Sequence, residues 1–386
     1  MSKIRVLNII TRLERGGAPQ ALLETIRPMS EEFDIDLVTG QTEDADLDLT
    51  QEVIDSGLPL IQVPSMRRSP HPLRDFEALR HLIRIMQKGN YDIVHTHTSK
   101  AGFLGRVAAK YCKISTVIHS PHGTILEGYF SSLITQVYVY LERITAPIAK
   151  CIICLTTREI DQYLDAKIGR REQYTHIFNG IDIGAFSTVT QTRQDVRQSL
   201  GISPESVVCI TVGRLVPVKG QSDLIDALPM VLEKHPDTHL LIVGEGELRD
   251  PLVQQTQHLN LENHVHFLGW RNDIPNLLGA SDIFALPSLN EGLGLVLIEA
   301  MAQHLPNIAT LVGGVAEVVL QGETGLLVPA QSASKMAEAL KDLIANPTKR
   351  KEMGEAGYQR ALEHFSIQST VAKTSDIYRQ LIGEKA

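Results

Sequence analysis

The sequence predicts an α/β protein built from two successive, doubly wound parallel sheets. Three observations carry this. Short apolar runs alternate with amphipathic stretches of helical length, the pattern of strand–helix–strand units with right-handed crossovers. The alternation stops once, in a polar stretch, and then starts afresh. A chain of 386 residues suits two α/β domains of about 190 residues better than one core.

In order, KIRVLNII, FDIDLVTG, PLIQVP, DIVHTH, TVIHSPH and CIICLTT read as buried strands, with helical periodicity over 73–86 and 101–111 between them. NGID is a turn signal, followed by the polar stretch AFSTVTQTRQD. VVCITVG, HLLIVGEG, VHFLG, DIFALPS and NIATLVGG then supply a second set of strands. The expected domains are 1–185 and 186–366. No repeat of solenoid length and no low-complexity tract appears.

Composition narrows the class. Hydrophobic content of 43% with 21% charged residues is that of a folded protein. Four cysteines, Cys112, Cys151, Cys154 and Cys209, are too few for a disulfide framework, and a reducing cytoplasm fits them best. MSKIRVLNII lacks the long apolar core and cleavage site of a signal peptide. The most apolar stretch, 125–155, is interrupted by Glu127, Glu142, Arg143 and Lys150 before it can span a bilayer. The net charge of −8 is uneven: residues 58–171 hold 16 Lys/Arg against 8 Asp/Glu, leaving +8 there and −16 elsewhere. A basic section in an acidic chain points to an anionic ligand or surface, and a solvated face accounts for the same excess. Nothing points to nucleic acid.

In open parallel sheets ligands sit beyond the carboxyl ends of the strands, so the loops there are the candidates for chemistry. Gly16 and Gly17 follow the first strand, with a helix expected from about Pro19. Glycines there let backbone N–H groups approach a phosphate, and a plain tight turn would look the same. In VGRLVPVKG, Arg214 and Lys219 flank a loop at the end of a strand and can close on a diphosphate from two sides. The strongest segment is PSLNEGLGLVLIEAMA. Glu291 precedes Gly292, Leu293, Gly294 and Leu295, where a helix begins, and Glu299 lies more than a turn inside it. Glycines at a helix start expose donors to phosphate, and a carboxylate beside them can accept from sugar hydroxyls. Glu299 sits among apolar neighbours, where an unpaired carboxylate is costly.

These segments, with LIVGEGELRDPL, FLGW, GGVAEVV and GETGLLVP in order, and GGAPQ, DIVHTHTSKAGFLGRVAA, HSPHG and FNGID upstream, resemble the retaining glycosyltransferases of family 4. The likeness covers almost the whole chain. It implies the GT-B fold, two Rossmann-like domains facing across a cleft, with the last helix, about 367–386, packing back on the first. Glu291 and Glu299 match the family's Glu-x7-Glu spacing. The resemblance implies that Glu291 holds the donor sugar, Glu299 the ribose, and Arg214 with Lys219 the diphosphate. Gly16 and Gly17 would cap a phosphate, His122 would lie beside the anomeric carbon, and the base would rest near Gly269 and Trp270. Leu293 stands where the family usually has Phe. His304 stands where it usually has Gly, a cost if the backbone there needs positive φ.

Other residues admit rival roles. Cys151 and Cys154, three apart on a strand, point to opposite faces and read as core. His95 and His97 share a face, which permits a metal, but no third ligand at metal-site spacing is apparent. His97 facing the cleft, fixed by His95, is the better reading. His119 and His122 bracket a proline at a strand end. Residues 129–140, YFSSLITQVYVY, suit helix packing, and part of them suits a membrane.

The expectation is a metal-independent hexosyltransferase that needs no cofactor, the UDP-hexose or UDP-N-acetylhexosamine being its substrate. Its acceptor would be lipid-linked or anionic, met on the side of His97, Arg67 and Arg68, and its setting cytoplasmic or peripheral at an anionic membrane. A UDP-sugar epimerase and a non-catalytic nucleotide-sugar sensor are the other classes this fold serves.

Overall fold

The computed structural model describes residues 3–42, 47–123 and 132–383. The chain forms two units, Met1–Gly180 with Ile367–Ala386, and Ile181–Ser366. The chain changes unit at 180/181, against an expected boundary at 185/186. The polar stretch behind that expectation is ordered. Helices Ile183–Ser187 and Arg193–Ser199 lie within it, and Asn276 accepts from the Thr190 and Gln191 amides at 2.8 and 3.3 Å.

Among the described residues the first unit has seven strands: β1 Arg5–Ile10, β2 Asp34–Thr39, β3 Leu60–Gln62, β4 Ile93–His97, β5 Thr116–Ser120, β6 Cys151–Cys154 and β7 Tyr174–His176. They pair in parallel in the order β3-β2-β1-β4-β5-β6-β7. Paired residues of a parallel ladder point to one face. Asn8 is in register with His95, and His97 with Ser120, so these four share a face with Val6 and Ile10. Helix Gly17–Met29 and the last helix, Ile367–Gly383, cover that face through Leu22, Ile26 and Tyr378. Helices Pro72–Gly89 and Ser99–Tyr111 cover the other face through Ala78, Leu82, Leu104 and Ala108. Cys151 and Cys154 are buried in clusters on opposite sides of β6, which rules out joint chelation.

The second unit has six strands among the described residues: β8 Val207–Val212, β9 Thr238–Val243, β10 Val265–Gly269, β11 Ile283–Leu286, β12 Asn307–Thr310 and β13 Gly325–Val328. Their order is β10-β9-β8-β11-β12-β13, again all parallel. In both sheets the order reverses once, between β1 and β4 and between β8 and β11. At each reversal neighbouring strands send their chains to opposite faces, which opens a crevice at the carboxyl ends. β7 and β13 were not among the strands read from the sequence.

His304 has φ 54. Its ring stacks on Tyr358 at 4.0 Å and its Nδ1 lies 3.1 Å from Glu355 Oε2, contacts that offset the strain of a non-glycine residue there.

Helix Ser132–Thr145 packs through Val139, Glu142 and Thr145. Residues 129–131 of the aromatic segment lie outside the described residues. Glu142 receives both oxygens' bonds from Arg106 Nη2 at 2.8 and 2.7 Å, and Arg106 is fully buried. Glu142→Ala should therefore lower stability by about 3–5 kcal/mol, because it strands a buried guanidinium. Urea denaturation measures this, and a loss under 1 kcal/mol would mean that water solvates Arg106.

Candidate active site

In the second unit the loops after β8 and β11 meet at the strand-order reversal. The β8 loop runs through Gly213 and Arg214 into the turn Pro217–Lys219, and Gly220 starts helix Gln221–Leu232. The Leu289 amide donates to the Val218 carbonyl at 2.7 Å, joining the loops. Gly220 has φ 66, and a Cβ there would lie 2.2 Å from the Pro287 carbonyl oxygen, so the close approach requires glycine.

This joint brings Lys219 Nζ to 2.6 Å from Glu291 Oε1, which also accepts from Ser288 Oγ at 2.7 Å. Glu291 is buried, at 8% exposure, so its charge depends on these donors. The Glu291 carbonyl is held by the Gly314 amide at 3.3 Å. Gly313, φ 50, packs so closely that a Cβ would lie 1.7 Å from that carbonyl oxygen. Helix Leu295–Ala302 then begins at Gly294 with no side-chain cap, leaving its first amides for a ligand. Leu293 is buried, and Gly292 and Leu295 are partly so. Glu299, fifth in the helix, is partly exposed while Leu297, Ile298, Ala300 and Met301 are buried. The Arg214 guanidinium is exposed and, among the described residues, makes no ion pair or hydrogen bond. Gly269 ends β10, and Trp270 beside it leaves half of its indole exposed.

In the first unit Gly16 caps helix Gly17–Met29 without a side-chain bond. Nearby, buried side chains form a chain of rings. His95 Nδ1 meets Tyr378 Oη at 2.7 Å and its Nε2 meets Ser120 Oγ at 2.8 Å. The His95 and His97 rings lie 4.1 Å apart, centre to centre. His97 Nε2 lies 3.0 Å from Asn8 Oδ1, and His97 Nδ1 lies 2.8 Å from His122 Nε2. His122 has φ 61 at the end of β5. Burial pushes His95 down to about 3 and His122 to about 4, and holds His97 well below the usual imidazole range. His119, on the opposite face, is held low by burial and then by the Arg106 charge. All four imidazoles are neutral at pH 7. Both His95 nitrogens are engaged within the protein, and among the described residues no three His, Cys, Asp or Glu form a metal-binding group. Arg67 donates to Gln41 Oε1 at 2.7 Å, and Arg68 is exposed.

The predicted residues thus fall into two sets. Lys219 and Glu291, expected on different parts of a donor, are in direct contact. His97 and His122, which the sequence reading did not pair, are joined, with the His95 ring against His97. Sequence reasoning missed Ser288, Gly313, Asn8, Ser120 and Tyr378. Ser288 and Asn8 left a signal: one lies three residues before Glu291, and the other is a lone amide within an apolar strand.

Residues 192–360 match the family described as glycosyl transferases group 1, and residues 15–184 match glycosyltransferase family 4. The chain is similar to UDP-Gal:alpha-D-GlcNAc-diphosphoundecaprenol alpha-1,3-galactosyltransferase of Escherichia coli, 30% identical over 100% of this chain and 99% of that one. It is 27% identical to N-acetyl-alpha-D-glucosaminyl L-malate synthase of Bacillus anthracis over 81% of each. Among solved structures, Anabaena HepE in complex with UDP-glucose superposes with a TM-score of 0.83 at 25% identity, covering 98% of this chain and 100% of that one.

The neutral histidines make stability depend on pH. A histidine whose native pKa is depressed binds protons more readily when unfolded. Its contribution is complete above the unfolded pKa of about 6.5 and is lost as pH falls toward the native value. Unfolding free energy should fall by about 1.4 kcal/mol per pH unit for each such histidine between pH 6.5 and 5. His122→Gln should remove one histidine's share of that slope. Urea titrations at pH 7, 6 and 5 test this, and a flat profile would mean that the rings protonate in the native state.

Proposed function

Because the chain belongs to glycosyltransferase family 4 and has the GT-B fold, we propose that this glycosyltransferase moves a hexosyl or N-acetylhexosaminyl group from a UDP-sugar, with retention at the anomeric carbon, to a lipid-linked acceptor. The observation that carries this reading is the Lys219–Glu291–Ser288 set at the β8/β11 reversal, with Arg214 on the same loop. A diphosphate leaving group gathers negative charge as the glycosidic bond breaks. Arg214, Lys219 and the uncapped start of helix Leu295–Ala302 offer that charge positive partners, so the chemistry is mainly electrostatic. Two cations already in place make a divalent metal unnecessary. Glu291 orients Lys219 and keeps an acceptor oxygen for sugar hydroxyls, Glu299 is suited to the ribose, and Trp270 offers the base an aromatic surface.

The donor and acceptor classes are supported by the Escherichia coli relative, whose name gives UDP-Gal and a diphosphoundecaprenol-linked sugar. HepE binding UDP-glucose supports the same donor base. Synthesis of a polysaccharide or glycan on a lipid carrier, at the cytoplasmic face of a membrane, is the setting these suit.

Such an acceptor requires the enzyme to work at a bilayer surface. No helix among the described residues is long and apolar enough to cross one. Helix Ser132–Thr145 exposes Leu133, Val137, Tyr140 and Ile144, a stripe at helical spacing. This helix and the neighbouring helices Pro72–Gly89 and Ser99–Tyr111 together hold 8 Lys/Arg against 3 Asp/Glu, a net of +5 in a chain of −8. Apolar insertion and basic charge together are what reversible docking on an anionic bilayer needs.

Arg214→Ala and Lys219→Ala should each weaken UDP binding by about 10- to 100-fold, the loss of one charge-assisted partner worth about 1.5–3 kcal/mol. Binding and transfer should persist in EDTA. Calorimetry with UDP and turnover with a radiolabelled UDP-sugar test both. Unchanged affinity in the two variants, or activity lost on chelation and restored by manganese, would reject the mechanism.

The protein should sediment with anionic but not neutral vesicles at low salt, since each basic residue at such a surface contributes about 1 kcal/mol. Val137→Asp with Tyr140→Asp should abolish this while turnover of a short-chain, water-soluble acceptor persists. Failure of the wild type to bind anionic vesicles would favour a soluble anionic acceptor.

A further inference from the structure

Of the two cations at the β8/β11 reversal, one is held by its head group and the other by its backbone. Lys219 Nζ lies 2.6 Å from Glu291 Oε1, whereas the Arg214 guanidinium has no hydrogen bond or ion pair among the described residues. The Arg214 carbonyl oxygen accepts from the Val216 amide and from Gln221 Nε2, both at 3.0 Å. The first bond closes a three-residue turn. The second reaches back seven residues from the start of helix Gln221–Leu232 and closes the segment 214–221 into a ring. The turn Pro217–Lys219 lies within that ring. A Cβ on Gly213 would lie 3.9 Å from Lys219 Cδ and Cε, so the lysine stem passes beside the residue that precedes Arg214.

Gln221 occupies this place at a cost. Glutamine is mostly a surface residue, yet Gln221 is only 3% exposed. Its Oε1 is buried with no hydrogen-bond partner among the described residues, a loss that a side chain without an amide would not incur. Turning the amide over does not relieve it. Nε2 faces a carbonyl oxygen, which only accepts, so the reversed amide would set two acceptors 3.0 Å apart.

We propose that Gln221 is a positioning residue for diphosphate binding, acting through the Arg214 carbonyl to set the spacing between the Arg214 and Lys219 side chains. The ligand in this proposal rests on the donor reading, and the clamp itself does not. An arginine on a loose loop must be ordered when an anion binds, and that ordering subtracts from affinity. Holding the peptide plane after Arg214 sets the direction in which its side chain leaves the backbone, while Glu291 holds the lysine. The neighbouring Gly213 and Leu215 amides are bonded to the Val243 and Glu245 carbonyls, at 2.9 Å each. Gln221 adds a side-chain tie between them, from the helix that follows Lys219.

Calorimetry with UDP on the wild type, Gln221→Met, Arg214→Ala and the double variant tests this. Methionine matches glutamine in length and removes the unpartnered Oε1 along with the donor, so the melting temperature should hold or rise. Gln221→Met should bind UDP roughly 3- to 10-fold more weakly than the wild type, the scale of one hydrogen bond. In the Arg214→Ala background it should have no further effect, because the group it positions is gone. Unchanged affinity in Gln221→Met overturns the proposal. An equal loss in both backgrounds also overturns it and makes Gln221 a structural residue. Hydrogen exchange reads the clamp without a ligand. The Val216 amide should exchange about 10-fold faster in Gln221→Met, and unchanged exchange there counts against the clamp. Faster exchange in a protein that does not bind UDP would uphold the clamp and reject the donor reading instead.

Discussion

Between β8 and β11, as between β1 and β4, two adjacent parallel strands hand their chains to opposite faces of the sheet. Backbone hydrogen bonding fixes the strands side by side, and the crossovers force the following loops apart. Many of the chemically loaded residues of this chain lie at one of these two places. Gly16, Asn8, His97 and His122 belong to the first, and Arg214, Lys219, Ser288 and Glu291 to the second. The sheets need those residues for nothing, since their cores are complete in Ile, Leu, Val and Ala without them. Loop geometry at the reversal is the constraint from which the sites follow.

The two places handle polarity in different ways. At the β8/β11 loops charge is kept and paired: a lysine, a carboxylate and a hydroxyl share one oxygen, near an arginine with no partner among the described residues. At β1/β4 charge is removed, because burial keeps the His95, His97 and His122 imidazoles neutral. A neutral cluster costs nothing in ion desolvation and holds its rings by contact, whereas the charged cluster is poised to exchange partners when an anion arrives.

How much of this could be read in the sequence follows from range. Strands with four or more apolar residues in six, such as VVCITV and RVLNII, announce themselves. Tyr174–His176 and Gly325–Val328 do not, since one holds a single apolar residue and the other only three. Within the sites, local spacing revealed Glu291 and Glu299, Gly16 and Gly17, and the pair His95 and His97. Contacts made by folding were invisible. Lys219 and Glu291 are 72 residues apart, and His95 and Tyr378 are 283 apart. A sequence gives each residue's chemistry and its neighbours along the chain. Which lysine meets which carboxylate is decided by strand order, and strand order is where local pattern carries least information.

The uneven charge gains meaning from the same folded order. A uniformly basic protein would meet an anionic surface in any orientation, and a uniformly acidic one would be repelled from it. Here a chain of −8 places a net +5 on three neighbouring helices of the first unit, beside an apolar stripe at i, i+4, i+7 and i+11. On the proposed reading, repulsion elsewhere and attraction on that side select one approach before any apolar contact forms. On the proposed reading, the stripe then supplies short-range adhesion that salt does not screen, while the basic helices supply an attraction that salt does. Charge that looked like a solvated excess along the sequence becomes, once the helices are laid side by side, a direction.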